Sequence, residues 1–195
     1  MRYILITFGV VLLIIFGIVI FNRDSGQPNN PAGRRAIKLS DYVTNNSASV
    51  EYTVQGPINA LENHRTISIR VSPTTRVIDV LTGYEGQVLR SQTYPNDNNS
   101  YSDFLAALAR TGFTRERRIG DNINTQSICP TGNRSFYVIN DNNKDVMNLW
   151  TASCTKGTYA GSTVTNNLFK AQIPDYTTIT NGVNVTGTSS NNAIF

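Results

Sequence analysis

Charge is scarce in this chain. Asp, Glu, Lys and Arg make up 15% of its 195 residues, against about 25% in an average soluble domain. Polarity comes instead from amides and hydroxyls, with 23 Asn and 22 Thr. A single His excludes a multi-histidine metal site, and two Cys exclude a disulfide-dense miniprotein. The absence of a Gly-X-Y period and of sustained heptads removes collagen and coiled coil. Also missing are a glycine-rich phosphate loop, a Gly-x-Ser-x-Gly elbow and a His-Glu-x-x-His pair. The remaining charge is slightly basic, +4 from 17 Lys and Arg against 13 Asp and Glu.

What the chain has is one long apolar run. Tyr3 to Phe21 carries no charge, and at 1.5 Å per residue a helix there reaches roughly 28 Å, close to the ~30 Å core of a bilayer. It ends in Ile20-Phe21-Asn22-Arg23, with no small-x-small cleavage site. The run therefore reads as an uncleaved single-pass anchor whose partner is the lipid bilayer. No acidic residue precedes Asp24, so the run lacks the early Glu of a pilin helix. A literal count of Arg23, Arg34, Arg35 and Lys38 against Arg2 places the following domain in the cytoplasm. Against that stand the short tail before the helix, the distance of Arg34, Arg35 and Lys38 from it, and a Cys pair suited to an oxidising compartment. The expectation is a cytoplasmic N-terminus and an extracytoplasmic main domain at the cell membrane.

Composition then divides the rest. Residues 1–21 are the expected anchor and 22–35 a flexible linker, with no apolar residue larger than Ala or Pro. Residues 36–176 form the expected domain, and 177–195 a disordered polar tail.

Within the domain, apolar residues alternate along Val50-Tyr52-Val54 and Ile67-Ile69-Val71, and strands follow over Val77–Leu81 and Val88–Tyr94. Gly83-Tyr84-Glu85-Gly86 forms the turn between the last two. Strands so closely spaced pair antiparallel, because a parallel crossover needs a dozen or more residues. The main helix opens near Asn96–Ser100, with Ser100 and Asp103 resembling a capping box. Its apolar face is Tyr101, Phe104, Leu105 and Leu108, and Gly112 stops it. Ser135–Asn140 and Val146–Ser153 make a hairpin. Leu168, Phe169, Ala171 and Ile173 suggest a short C-terminal helix, with a strand as the alternative. The predicted fold is α+β: an antiparallel β-meander with one main helix and a short C-terminal helix packed on one face, preceded by a single N-terminal transmembrane helix.

Cys129 and Cys154 bracket that hairpin. A bridge between them contributes roughly 3–4 kcal/mol by restricting the unfolded chain, and two separate buried thiols are the alternative. No further Cys pair or nearby His completes a metal site, so neither a metal nor a cofactor is expected.

Arg110, Arg115, Arg117 and Arg118 are the candidate anion-binding residues. Guanidinium matches phosphate bidentately, whereas arginines after a helix also serve its dipole. Nucleic acid is not expected as a partner. Asp141-Asn142-Asn143-Lys144-Asp145 resembles the start of a calcium loop, but Val146 and Ala152 occupy the positions of the required Gly and Glu, and a type I turn explains the run. His64 reads as a surface or edge-strand histidine. Asp79 and Glu85 flank one turn and are the candidate carboxylate pair of a hydrolase. Among the aromatics Tyr84, Tyr94, Tyr101, Phe136, Tyr137 and Trp150, only one of Phe136 and Tyr137 can share a face with Trp150. They form either core or a binding platform.

Val77 to Phe113, with its Gly-Tyr-Glu-Gly turn, Thr93-Tyr94-Pro95 and Phe104-Leu105-x-x-Leu108-x-x-x-Gly112-Phe113, resembles single-pass membrane-anchored envelope proteins of small-genome bacteria. Leu168 to Tyr176 adds to that likeness. No activity is assigned to that group, so the resemblance implies a bacterial envelope setting and carries over no catalytic residue. The sequence thus points to a non-catalytic binding or structural domain at the envelope, with another envelope protein or a surface polymer as partner. The alternatives are a cell-wall polymer hydrolase using a carboxylate pair, and a polyanion-binding accessory of DNA uptake or secretion.

Overall fold

The computed structural model describes residues 37–117, 129–155, 157–159 and 163–186. The chain divides into two compact units, Met1–Ala36 and Ile37–Phe195. The first, with the expected anchor and linker, lies outside the described residues. No helix among the described residues is long and apolar enough to cross a membrane.

Six strands follow a 3₁₀ turn at Leu39–Tyr42. They are β1 Ala48–Gln55, β2 Arg65–Val71, β3 Thr75–Thr82, β4 Gln87–Pro95, β5 Arg134–Asp141 and β6 Lys144–Ala152. Helix α1 (Asn98–Thr111) separates β4 from β5, and α2 (Thr163–Ala171) and α3 (Tyr176–Ile179) follow the sheet. Every pairing is antiparallel, so the α+β expectation holds at that level. The strand order β4-β3-β2-β1-β5-β6 differs from a plain meander. The first four strands do run as one, but β5 joins the free edge of β1 instead of β4. Helix α1 stands between β4 and β5 in the chain, and no local sequence signal specifies that β5 returns to β1.

Alternation decides the two faces. Val50, Tyr52 and Val54 lie opposite Val71, Ile69 and Ile67 on β2, and Tyr52 lies opposite Tyr137 on β5. All seven are buried. Tyr101, Phe104, Leu105 and Leu108 of α1 recur at helical spacing and are buried against them. Phe169 of α2 inserts between sheet and helix, with its ring centroid 5.7 Å from Tyr52 and 5.2 Å from Phe104. Burial pushes the Tyr52 hydroxyl up to about 12, which keeps this face uncharged.

Three local expectations change. The N-cap of α1 is Asp97, whose carboxylate accepts from the Asn99 and Ser100 amides at 2.9 Å each. Ser100 is instead inside the first turn and donates its hydroxyl to Asp97. The β5–β6 connection is a two-residue turn with φ of 50° at Asn142 and 61° at Asn143. That is type I′, not type I, because its twist matches that of the flanking strands. Finally, order extends past Tyr176. Ile179, Val183 and Val185 pack against the core, so 177–186 is not part of a disordered tail. Its apolar side chains have a surface to cover.

The sheet edges differ. Along β6, the Trp150 amide donates to Thr158 Oγ1 and the Trp150 carbonyl accepts from the Tyr159 amide. Gly157 lies so close over this strand that a Cβ there would run into the Trp150 carbonyl oxygen and indole ring. Strand β4 at the other edge is exposed along nearly its whole length. Arg90 ties it to the C-terminal segment through the carbonyls of Ile179 and Asn181.

Candidate functional site

Opposite the helices, the alternate residues of the same strands are polar. One row across the sheet reads Leu81, Thr66, Gln55 and Arg134, and the next reads Asp79, Ser68, Thr53 and Phe136. These strands carry Thr, Ser, Glu and Arg at alternate positions, and no helix among the described residues covers this face, as the period-2 pattern leads one to expect. It nevertheless hollows into a groove of about 640 Å³, within the usual range for ligand sites.

The groove wall comes from the β1–β2 connection. The Ile58 amide donates to the Pro130 carbonyl at 2.7 Å, tying this loop to the segment after Cys129. His64 lies against the Tyr84 ring, and both line the groove. Its Nδ1 is 3.1 Å from the Pro57 carbonyl. A carbonyl only accepts, so Nδ1 is the donor in this hydrogen bond. His64 is 2% exposed, which corrects the surface reading. The cause is Tyr84, brought over it by the β3–β4 turn.

Most polar groups here answer one another. Glu51 Oε1 accepts from Thr53 and Ser68 at 2.9 Å each, and Oε2 accepts from Arg70 at 3.2 Å. The Arg70–Glu51 pair is half exposed at the arginine and contributes about 1 kcal/mol at most. Asp79 accepts from Ser91 at 2.6 Å.

Arg134 is the exception. It is 5% exposed and lines the groove, yet its Nε is buried without a hydrogen-bond partner. No ion pair of Arg134 occurs among the described residues. One buried N–H left without an acceptor generally costs about 1–3 kcal/mol. Strand β5 begins at this residue, five positions after Cys129, so the Cys129–Cys154 bridge anchors the backbone beside it. The bridge is formed, with Cα atoms 5.7 Å apart.

The sequence-derived arginines lie elsewhere. Arg110 is exposed at the end of α1, beside a separate depression shared with Val164 and Leu168. Arg115 is beside Gly112, and the Arg117 amide donates to the Thr158 carbonyl. None of these three lines the groove, and Arg118 lies outside the described residues. The carboxylates Asp79 and Glu85 line different depressions. Asp141 accepts from Asn45 and Asn142. Phe136, not Tyr137, shares a face with Trp150. Tyr101 and Tyr137 are core, and Tyr84 forms part of the groove wall. Arg134 is not among the sequence-derived candidates, because one arginine at a strand start forms no motif. Its only sequence signal is its phase, on the polar side of β5.

No protein-family model matches the chain, and no curated protein matches it.

Proposed function

We propose that this chain is a non-catalytic binding domain of a bacterial cell envelope, tethered by Tyr3 to Phe21 and displayed outside the membrane on the linker 22–35. Its ligand surface is the polar face of the sheet, opposite the described helices. The observation that carries this reading is Arg134, a buried cation in a groove with no partner for its Nε. A purely structural polar face closes on itself, as Glu51 does with Thr53, Ser68 and Arg70. The Cys129–Cys154 bridge supports an oxidising, extracytoplasmic setting. The likeness to membrane-anchored envelope proteins of small-genome bacteria supports the same setting, with an envelope protein or surface polymer as partner.

The test is retention of the full chain, in detergent micelles, on immobilised envelope material. Wild type is expected to be retained, Arg134→Met to be released, and the double variant Arg115→Ala/Arg117→Ala to behave as wild type. Release of the double variant with full retention of Arg134→Met would place binding on the loop after α1 and overturn this reading.

A further inference from the structure

We infer that the groove takes a single carboxylate, carried on a neutral body of hydroxyl and amide groups, with Arg134 as the seat of the anion. This rests on the polar face of the sheet being the binding surface. The guanidinium presents a planar fork of donors that a carboxylate meets with two parallel hydrogen bonds. Arg134 is 5% exposed, lines the groove and has no ion pair among the described residues, so such a ligand supplies the neutralising charge it lacks.

The rest of the groove limits the ligand to one negative charge. Arg70 is paired with Glu51 at 3.2 Å, so the two together add no net positive charge for a second anion. Glu51 and Asp79 line the same groove and repel further negative charge, which disfavours a nucleic acid, a polyphosphate or any other polyanion. Gln55 stands next to Arg134 in the same row of the sheet, and Thr66 one strand beyond it. They offer an amide and a hydroxyl to a neutral polar body. Two sources carry this chemistry: an acidic sugar, and a peptide with a free C-terminal carboxylate.

Calorimetric titration of the full chain in detergent micelles separates them. The probes are a galacturonic acid trisaccharide and its methyl ester, and trialanine with a free or an amidated C-terminus. One acid is expected to bind, with its neutral counterpart weaker by roughly ten- to a hundredfold. Whichever acid binds names the source. Arg134→Met is expected to abolish the difference between acid and neutral probe, and Arg134→Lys to restore part of it. The comparison within wild type needs no variant to fold. Equal binding of acid and neutral probes would overturn the inference, as would a difference that survives in Arg134→Met. Inorganic phosphate competing as strongly as the acid would also overturn it. If neither acid binds, the carboxylate assignment fails. Arg134-dependent retention on envelope material would then preserve the binding face, and its loss would reject both.

Discussion

His64 and Tyr84 stack face to face, with ring centroids 4.2 Å apart and planes 16° from parallel. Tyr84 is fixed in turn by Asn59, donating its hydroxyl to the Asn59 carbonyl at 2.7 Å and accepting from the Asn59 amide at 3.0 Å. Alongside the Ile58–Pro130 hydrogen bond, the wall of the groove is therefore held by one exposed tyrosine. Tyr84→Phe keeps the stack and removes both hydrogen bonds, whereas Tyr84→Ala removes the stack too. Amide hydrogen exchange over residues 57–64 is expected to quicken in Phe and more in Ala, with β2 unchanged and global stability lowered by about 1 kcal/mol or less in Phe. Equal exchange in all three proteins would show that the wall is held by other contacts.

Arg134→Met is expected to stabilise the fold while it weakens binding. The substitution removes a buried cation whose Nε has no partner and keeps most of the side-chain volume. A gain of about 1–2 kcal/mol in urea unfolding is expected. A loss of that size would mean that Arg134 serves the fold, and the case for a ligand there would fall.

A second buried polar atom gives an internal control. Tyr101 is fully buried in α1, and its hydroxyl has no hydrogen-bond partner. Burial raises its pKa, so it stays neutral. Tyr101→Phe is expected to raise stability by about 1 kcal/mol, with no change in retention on envelope material. The distinction is one of position: Tyr101 faces the core, and Arg134 faces the groove.

The sequence made the strands legible because each is half buried, and period-2 alternation records which half. It did not reveal that β5 pairs with β1, since that pairing depends on contacts between residues 79 to 93 positions apart. Asn96-Asp97-Asn98-Asn99-Ser100 holds several residues able to cap a helix, so composition alone cannot choose Asp97. Val183 and Val185 sit among Thr, Asn and Gly without period, and only the surface they cover explains their burial. Arg134 was hidden for a related reason. Its significance is the lack of a partner, and partners are set by the tertiary fold.

The cap itself makes a pH signature. The Asn99 and Ser100 donors, with the Ser100 amide and hydroxyl foremost, hold the Asp97 carboxyl below its ordinary value. Its contribution is therefore complete above the unfolded-state value near pH 4 and is lost as pH falls through the lowered folded value. Asp97→Asn, which caps without titrating, is expected to show a smaller fall in melting temperature between pH 5 and pH 3 than wild type. Parallel curves would remove Asp97 from the acid response.

A ligand of the cell envelope reaches the Arg134 groove only if the domain stands outside the membrane. Cys154 is exposed and Cys129 buried, so reduction of the bridge frees one accessible thiol. The decisive measurement is labelling of intact cells by a membrane-impermeant maleimide, with and without an impermeant reductant. Labelling of Cys154 in intact cells only after reduction is the expected result. Labelling that requires lysis would place the domain in the cytoplasm and contradict the proposal at its base.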